Sequence, residues 1–471
     1  MTGRLGGLAS WHPDGTISAH PLVRDAFRRL VLDAAGTATE TALAGLPTGR
    51  VTSRSDALRV VEAIELLLVA DQWQPADDLY TNRSGHPAVW MTLPAARLGQ
   101  RAATAFVATP AHRDACGTRL SSDRLGLFLV SVGLWALNAG DLATAREYLR
   151  MAVHHDRDAA DTANLATSLM NLAECLSKLG QPDQARDAAA EALTSAETVG
   201  NWQEIRAARA YLGSAVMLDG DTAEAERQFI AADQIQVAHD LDGYHLSSTG
   251  GIWWAEWLAR TGRDSPARAL TERNAEISRE EGWNDDLARC DWILGRLALT
   301  AGDTAAAGEH LAAAAAVFRD GDYLTELAVT LADLAEHARA AGDLDAADRH
   351  ATEAITIAAP RGLVPAQAAA LAARARIRAA QAAAAGPDLL NQGRDAADAA
   401  LRLATRHQLA WHELDALRAH AALDQAEGID HGWAAKARTL HARLVPPDLD
   451  PDPLSTVERL VAAQKAAEDH D

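Results

Sequence analysis

Residues 133–152 read GLWALNAGDLATAREYLRMA, and the spacing of small residues in this stretch decides the fold. Gly140 follows a glycine by seven positions (Gly133) and precedes alanines by five and twelve positions (Ala145 and Ala152). Two helices that cross at close range need small side chains at the crossing, and the turn between them needs a residue that tolerates positive φ. The stretch therefore predicts two antiparallel helices joined by a turn at Gly140.

The same pattern recurs along the chain. Further turn glycines follow at steps of 40, 40, 42, 40 and 40 residues: Gly180, Gly220, Gly262, Gly302 and Gly342. Each has a small residue seven positions before it and an alanine five positions after it. Units that bury their apolar faces only against neighbouring units are typical of solenoids. The sequence therefore predicts an all-α superhelical solenoid of helix-turn-helix repeats about 40 residues long.

The pattern divides the chain into parts with different regularity. These are a non-repeat start at 1–30, a linker with one degenerate helical hairpin at 31–121, the regular array at 122–362, degenerate C-terminal repeats at 363–444, and a proline-rich break with a capping helix and tail at 445–471. Within the linker, the hairpin is expected at 56–80, and scattered glycines and prolines make 81–121 irregular. Proline ends the last repeat helix because it cannot continue the hydrogen-bond ladder.

Composition excludes several classes of partner. The formal net charge is −21, whereas nucleic-acid binding needs clustered lysines and arginines. The three cysteines are odd in number and match no CxxC spacing, which favours free thiols in a reducing compartment. No apolar run reaches the roughly 18 residues of a membrane span, and the first 30 residues lack a signal-peptide pattern. We therefore expect a cytoplasmic protein without nucleic-acid or membrane partners.

The turn glycine and its flanking small residues resemble the tetratricopeptide repeat (TPR) in a longer form. The resemblance is strong over 123–362 and weaker at 56–80 and 363–444. Thr271 and Asn274 replace the usual apolar packing residues in the fourth unit. The resemblance implies a module that binds proteins or peptides, with the first helix of each pair lining a concave groove.

The start of the chain resembles a second family. The stretch LGGLASWHPDGTISAHPLVRDAF, residues 5–27, predicts a β-hairpin with a two-residue turn at Asp14-Gly15 and a helix that begins near Pro21. It resembles the winged-helix end of STAND-type (NB-ARC/NACHT-like) actinobacterial regulatory ATPases, which lies before a TPR sensor in those proteins. Residues 243–263 and 283–303 resemble the sensor repeats. A GxxxxGK[ST] loop is missing from the sequence, so we expect a sensor region without the nucleotide-binding domain.

Candidate binding residues follow from the TPR resemblance, which implies that side chains 13, 10 and 6 positions before a turn glycine face the groove. For Gly302 these are Arg289, Trp292 and Arg296, which share one helix face. A tryptophan between two arginines can stack on an aromatic group or clamp a carboxylate, so an acidic and apolar ligand is expected. The corresponding positions of neighbouring units add further groove residues: Met170, Glu174, Ser214, Glu256 and Glu336.

Structural explanations compete with these candidates. Arg289 and Arg296 could instead pair with Glu256 and Glu336 across the groove. The acidic pair Asp285-Asp286 is typical of a helix start. In the tryptophan-rich segment, Trp254 is predicted in the core, while two further tryptophans on another face belong either to the inter-repeat core or to a ligand wall: Trp253 and Trp257.

The function predicted from these patterns is non-catalytic. Motifs for hydrolases, metalloproteases and dinucleotide enzymes do not occur in the sequence, so no catalytic residue, cofactor or metal is expected. We expect the ligand-sensing part of a signalling or transcriptional regulator, which binds a protein or peptide, with a separately encoded STAND ATPase as one further partner. Two alternatives stay open: a stand-alone peptide-pheromone receptor and a passive assembly scaffold.

Overall fold

The computed structural model describes residues 9–11, 17–19, 43, 45–46, 51–84, 93, 95–239, 244–385 and 387–468. The chain divides into two compact units, one formed by 1–93 with 101–128 and the other by 94–100 with 129–471. Within the described ranges, no helix combines the length and the apolar character that a membrane span needs.

Two short strands occupy the start of the first unit. Strands β1 (Ala9–Trp11) and β2 (Ile17–Ala19) pair antiparallel, with Trp11 opposite Ile17. Residues 12–16 lie between the paired strands, and the two-residue turn predicted at Asp14-Gly15 falls within them. The turn itself and the helix expected at 20–24 lie outside the described residues, and the winged-helix remnant at 1–30 stays a prediction.

The linker region contains more helix than the sequence predicts. Helices α1 (Arg54–Val69) and α2 (Trp73–Leu79, continued by π-helical Tyr80–Ser84) form the hairpin expected at 56–80. Residues 81–121 also hold α3 (Ala96–Val107) and α4 (Pro110–Arg119), so the prediction of an irregular segment is wrong. Pro110 marks a helix start here, because it occupies the first turn of α4 behind the capping hydroxyl of Thr109.

The regular array follows the predicted repeat. Its helices are α5 (Ser122–Asn138), α6 (Leu142–Asp158), α7 (Thr162–Lys178), α8 (Pro182–Val199), α9 (Trp202–Met217), α10 (Thr222–His239), α11 (Ser248–Arg260), α12 (Asp264–Glu281), α13 (Asn284–Thr300), α14 (Thr304–Asp320), α15 (Leu324–Ala340) and α16 (Leu344–Ala358). All six turn glycines have φ between 67° and 84°. The predicted solenoid of helix-turn-helix repeats is therefore confirmed.

Five helices complete the second unit or cap it. They are α17 (Val364–Ala385), α18 (Pro387–Arg406), α19 (Ala410–Glu427), α20 (Trp433–Leu444) and α21 (Pro453–Glu468). Consecutive helices pack against each other from α6 to α10 and from α11 to α20, and each odd-numbered helix from α7 to α17 also packs against the next odd-numbered one. The odd-numbered helices thus form an inner layer, as the TPR resemblance implies for the first helix of each pair.

The inner layer bends until early and late repeats meet. Thr325 Oγ1 donates to the carbonyl oxygen of Leu137 (2.8 Å), and the amide of Ala410 donates to the carbonyl oxygen of Leu218 (3.0 Å). Thr222 Oγ1 donates to the carbonyl oxygen of Leu444 (2.7 Å). We call these contacts the closure seam. One continuous hydrophobic cluster joins residues from α5 to α21, so the second unit closes on itself.

The irregular fourth repeat has a local explanation. A Cβ on Gly251 would lie 2.0 Å from the carbonyl oxygen of Leu246, so only glycine fits there. Asn274 Nδ2 donates to that same carbonyl (3.2 Å) and to the carbonyl of Leu270 (2.9 Å). Gly251 and Asn274 therefore have the same role, since both accommodate the backbone that leads into α11.

Candidate ligand-binding cavity

A cavity of about 220 Å³ lies within the inner layer of the second unit. Its walls come from α7 and α9 on one side of the closure seam, from α11 and α13, and from α15, α17 and α19 on the other side. Closure of the array narrows the concave groove of an open solenoid into a cavity. The cavity therefore exists only because distant repeats meet.

Most of the predicted groove residues line this cavity. They are Glu174, Ser214, Glu256, Arg289, Trp292 and Arg296. Met170 is instead part of the hydrophobic core, with 5% of its surface exposed. Glu336 pairs with Arg339 (2.9 Å) and Arg376 (2.7 Å) and does not line the cavity. The structure thus brings six of the eight candidates together, while their role in binding remains a prediction.

One end of the cavity holds an ion cluster that we call the Lys178 cluster. Its members are Glu174, Lys178, Asp285, Asp286, Arg289 and Glu326. Lys178 Nζ lies 2.8 Å from Glu326 Oε1 and 3.3 Å from Glu174 Oε1. Burial alone would lower the pKa of Lys178, but the two carboxylates raise it, so its ammonium group stays charged.

Arg289 joins this cluster through Glu326, which it shares with Lys178, and through two further carboxylates. Its guanidinium lies 2.9 Å from Asp286, 3.4 Å from Asp285 and 3.5 Å from Glu326. Burial would raise the pKa of Glu326, yet Lys178 and Arg289 lower it overall. For Asp285, burial outweighs the attraction of Arg289 and raises the pKa to about 6. This end of the cavity is therefore rich in carboxylates.

The other end holds the Glu256 cluster, which consists of Glu256, Arg260, Trp292, Arg296 and Asp333. Glu256 Oε1 lies 2.8 Å from Arg260 and 3.3 Å from Arg296. Trp292 Nε1 donates to Asp333 Oδ2 (2.7 Å), and the Arg296 guanidinium stacks 5.1 Å from the centroid of the Trp292 ring. Burial would raise the pKa of Glu256, but Arg260 and Arg296 lower it overall.

Aromatic side chains complete the cavity wall and the core next to it. Trp253 lines the cavity and meets Tyr211 edge-on, with ring centroids 4.7 Å apart. Trp257 is fully buried and meets Trp411 edge-on at 5.9 Å, and Trp254 is fully buried as predicted. The structure therefore separates the two tryptophans that the sequence treats alike, since Trp253 is a cavity wall and Trp257 is core.

Trp411 and His412 line the cavity, and each carries a buried polar atom without a hydrogen-bond partner among the described residues. Only 5% of Trp411 and 7% of His412 is exposed, and neither Trp411 Nε1 nor His412 Nδ1 has a hydrogen-bond partner among the described residues. Burial, with a contribution from Arg260, lowers the pKa of His412 to about 4, so its imidazole is neutral at pH 7. A buried donor without an acceptor is costly, which makes this wall receptive to a ligand oxygen.

The ion pairs revise the expectation of an acidic ligand. Arg296 pairs with Glu256 as the structural alternative predicts, but Arg289 pairs with Asp285, Asp286 and Glu326 and not with Glu336. Both guanidinium groups are therefore engaged by carboxylates of the chain itself. A ligand carboxylate could reach either arginine only by displacing one of these partners.

Several cavity residues escape the sequence reasoning. Lys178 and Arg260 lie two positions before a turn glycine and four positions after a predicted glutamate, a spacing that places each pair on one helix face. That spacing is a usable signal. Trp411 and His412 offer none, because they stand in the degenerate repeats and reach the cavity only through closure.

One comparison with known proteins identifies the repeat. Residues 126–198 match the tetratricopeptide repeat family. A search of curated proteins gave no match. Among solved structures, a Rap protein complexed with competence and sporulation factor is 13% identical, covers 87% of this chain and 99% of its own, and has a TM-score of 0.38. The apo form of RapI is also 13% identical, with coverage of 88% and 98% and a TM-score of 0.31.

A STAND protein with a tetratricopeptide repeat sensor from Pyrococcus horikoshii is also similar. It is 12% identical and has a TM-score of 0.33, and the match covers 97% of this chain and 59% of that protein. At these identities the similarity concerns the helical-repeat fold alone.

Proposed function

We propose that this TPR solenoid is a non-catalytic sensing module that binds a short segment of a protein or peptide in its central cavity. The observation that carries the proposal is the composition of the cavity wall, which combines aromatic side chains with two groups of charged side chains. Ligand sites combine apolar surface with a few placed polar groups in this way. A volume of about 220 Å³ suits a few residues of an extended chain and not a folded partner.

The closure seam supplies the response to binding. An occupant of the cavity touches α7 and α9 on one side of the seam and α15, α17 and α19 on the other. It therefore prefers the closed arrangement, and it shifts the population toward that arrangement by as much as its affinity for the two forms differs. Under this proposal a partner protein binds the closed form. The sequence resemblance makes a separately encoded STAND-type ATPase the candidate for this partner.

Affinity selection tests the proposal. The purified chain is exposed to tripeptides randomised at every position, and bound peptides are identified by mass spectrometry. Wild type should retain a defined subset, and Trp292→Ala should weaken binding of that subset by about 30-fold or more, the usual cost of truncating an anchor. Trp202→Ala is the matched control, because Trp202 stacks on His239 away from the cavity.

Two outcomes would contradict the proposal. One is retention of no tripeptide by wild type, and the other is equal binding by wild type and Trp292→Ala. Circular dichroism of each variant establishes that a loss of binding does not come from a loss of helix.

A further inference from the structure

We propose that the cavity selects a ligand that carries a primary ammonium group, which docks against Glu174 and Glu326 beside Lys178. This inference rests on the proposed function and names the chemistry of its ligand. It reverses the expectation of an acidic ligand that the arginines suggest when they are considered alone.

The charge balance of the Lys178 cluster is the first argument. Four carboxylates surround two cations, because Asp285 and Asp286 engage Arg289 while Glu174 and Glu326 engage Lys178. Glu326 Oε2 is buried and has no hydrogen-bond partner among the described residues. Both Glu174 and Glu326 line the cavity, so an incoming cation would neutralise excess negative charge and supply the missing donor.

The Glu256 cluster differs in this respect. Its carboxylates Glu256 and Asp333 are matched by Arg260 and Arg296, and the further wall carboxylate Asp415 pairs with Arg418 (3.7 Å), so the charges at this end balance. What it offers instead is the unpaired indole N–H of Trp411 and the neutral imidazole of His412. An indole N–H can only donate, so this end favours a carbonyl or carboxylate oxygen.

The separation of the two ends sets the length of the ligand. Arg289 and Arg296 lie seven residues apart on α13, which corresponds to about 10 Å along the helix axis. An extended chain of roughly three residues spans that distance. A peptide with its ammonium group at the Lys178 cluster would therefore place a backbone oxygen near Trp411 and an apolar side chain against Trp292 and Trp253.

The net charge of the whole chain also favours a cationic ligand. A formal net charge of −21 draws cations toward the protein and raises their rate of encounter at low ionic strength. The two sources of a primary ammonium group in peptides are the amino terminus and the lysine side chain, and capped peptides distinguish them.

The test compares capped pools of randomised tripeptides. Four pools contain no lysine. The first has free ends, the second an acetylated amino terminus, the third an amidated carboxyl terminus and the fourth both caps. A fifth pool has an acetylated amino terminus and contains lysine. Acetylation should weaken selection by about 10- to 100-fold, the range expected for losing a hydrogen bond to a buried charge. Amidation should change it by less than about threefold. Recovery in the fifth pool assigns the ammonium group to lysine.

Single substitutions assign the effect to the two carboxylates. Glu326→Gln and Glu174→Gln each keep the side-chain shape. Each should weaken the binding of the selected free-amino peptides by about tenfold or more, and should leave the binding of acetylated peptides unchanged. The control is Glu353→Gln, which removes an exposed partner of Arg319. Because Glu326 also supports buried Lys178, Glu174→Gln keeps the test decisive if Glu326→Gln fails to fold.

The outcomes separate this inference from the proposed function. Peptide binding that depends on Trp292 but is unchanged by acetylation would overturn the ammonium site and not the proposed sensing function. Binding that is unchanged in both Glu→Gln variants would have the same meaning. Selection of no peptide from any pool overturns both.

Discussion

At the scale of single residues, the cavity depends on charges that the chain has buried in pairs. Removing one partner of a buried pair leaves an uncompensated charge, which is far more destabilising than the pair is stabilising. Glu256 illustrates this dependence, because Arg260 and Arg296 both contact the same oxygen, Oε1. The residues that shape the cavity are therefore also residues on which folding depends, and functional tests need controls for stability.

His412 predicts a pH dependence of stability. Its pKa is about 4 in the folded chain and about 6.5 in the unfolded one, so between these values only the unfolded state gains a proton. Stability is thus lost as the pH falls through this window, by about 2 kcal/mol between pH 7 and pH 5. We expect His412→Gln to remove this loss. Urea unfolding of both proteins at both pH values measures it, and an unchanged pH dependence in the variant would contradict the assignment.

Gly251 predicts a local steric limit. We expect Gly251→Ala to destabilise the chain by about 2–3 kcal/mol or more, because its Cβ would meet the backbone oxygen of Leu246 at 2.0 Å. The matched control is Gly250→Ala, whose Cβ would meet only side-chain atoms, at 3.0 Å and beyond. The midpoint of thermal unfolding should be much lower for Gly251→Ala than for Gly250→Ala. The opposite order would contradict the steric role assigned to the Leu246 carbonyl.

At the scale of helices and turns, six repeats that look equivalent in the sequence fall into two groups. A Cβ on Gly140, Gly180 or Gly220 would contact later repeats at 2.5–3.2 Å, whereas one on Gly262, Gly302 or Gly342 would meet nothing within 4 Å. The first three turns therefore reverse the chain and also form part of the closure seam. The last three only reverse the chain.

This division predicts unequal effects of one substitution. Gly302→Ala should cost about 1–2 kcal/mol, the penalty of positive φ for a residue with a Cβ. Gly220→Ala should cost about 1–3 kcal/mol more, because its Cβ would also lie 2.5 Å from Leu444 and 2.8 Å from Ala410. Urea unfolding of the two variants measures the difference. Equal losses of unfolding free energy would mean that the closure seam accommodates the added Cβ without a cost in stability.

At the scale of the second unit, closure links repeats that are far apart in the sequence. The Thr222 hydroxyl reaches the Leu444 carbonyl across 222 residues, and Lys178 reaches Glu326 across 148. A ligand in the cavity contacts both sides of this seam, so the proposed response to binding belongs to the closed array and not to any single repeat.

Weakening the seam should be visible as local opening. Thr222→Val removes the donor to the carbonyl of Leu444 and leaves a buried acceptor unpaired, at a cost of about 1–3 kcal/mol. We expect faster amide hydrogen exchange at Ala410 and in the last turn of α20, with little change in α13. Thr356→Val is the control, because its hydroxyl bonds within its own helix. Equal exchange in the two variants would show that closure does not depend on this bond.

The sequence by itself determined the repeat, its turns and, for six of the eight candidate residues, which side chains line the cavity. These features are local, since a glycine at a turn, an alanine at a crossing and a side chain on a helix face depend on residues a few positions away. It also identified Arg289, Trp292 and Arg296 as neighbours, because they share two turns of α13. The helices at 96–107 and 110–119 were missed because proline and glycine mark helix starts as well as breaks.

Only the tertiary structure decided that the array closes, which further residues line the cavity and which charges pair. Small changes in the angle between successive repeats add up along a solenoid, so the meeting of its ends is set by all the repeats together and by no local pattern. Trp411, His412, Lys178 and Glu326 enter the cavity for that reason. Arg289 pairs with Glu326 through the same packing, whereas its pairs with Asp285 and Asp286 lie within α13. Together these pairs are the basis for proposing a cationic ligand in place of the acidic one that the arginines alone suggest.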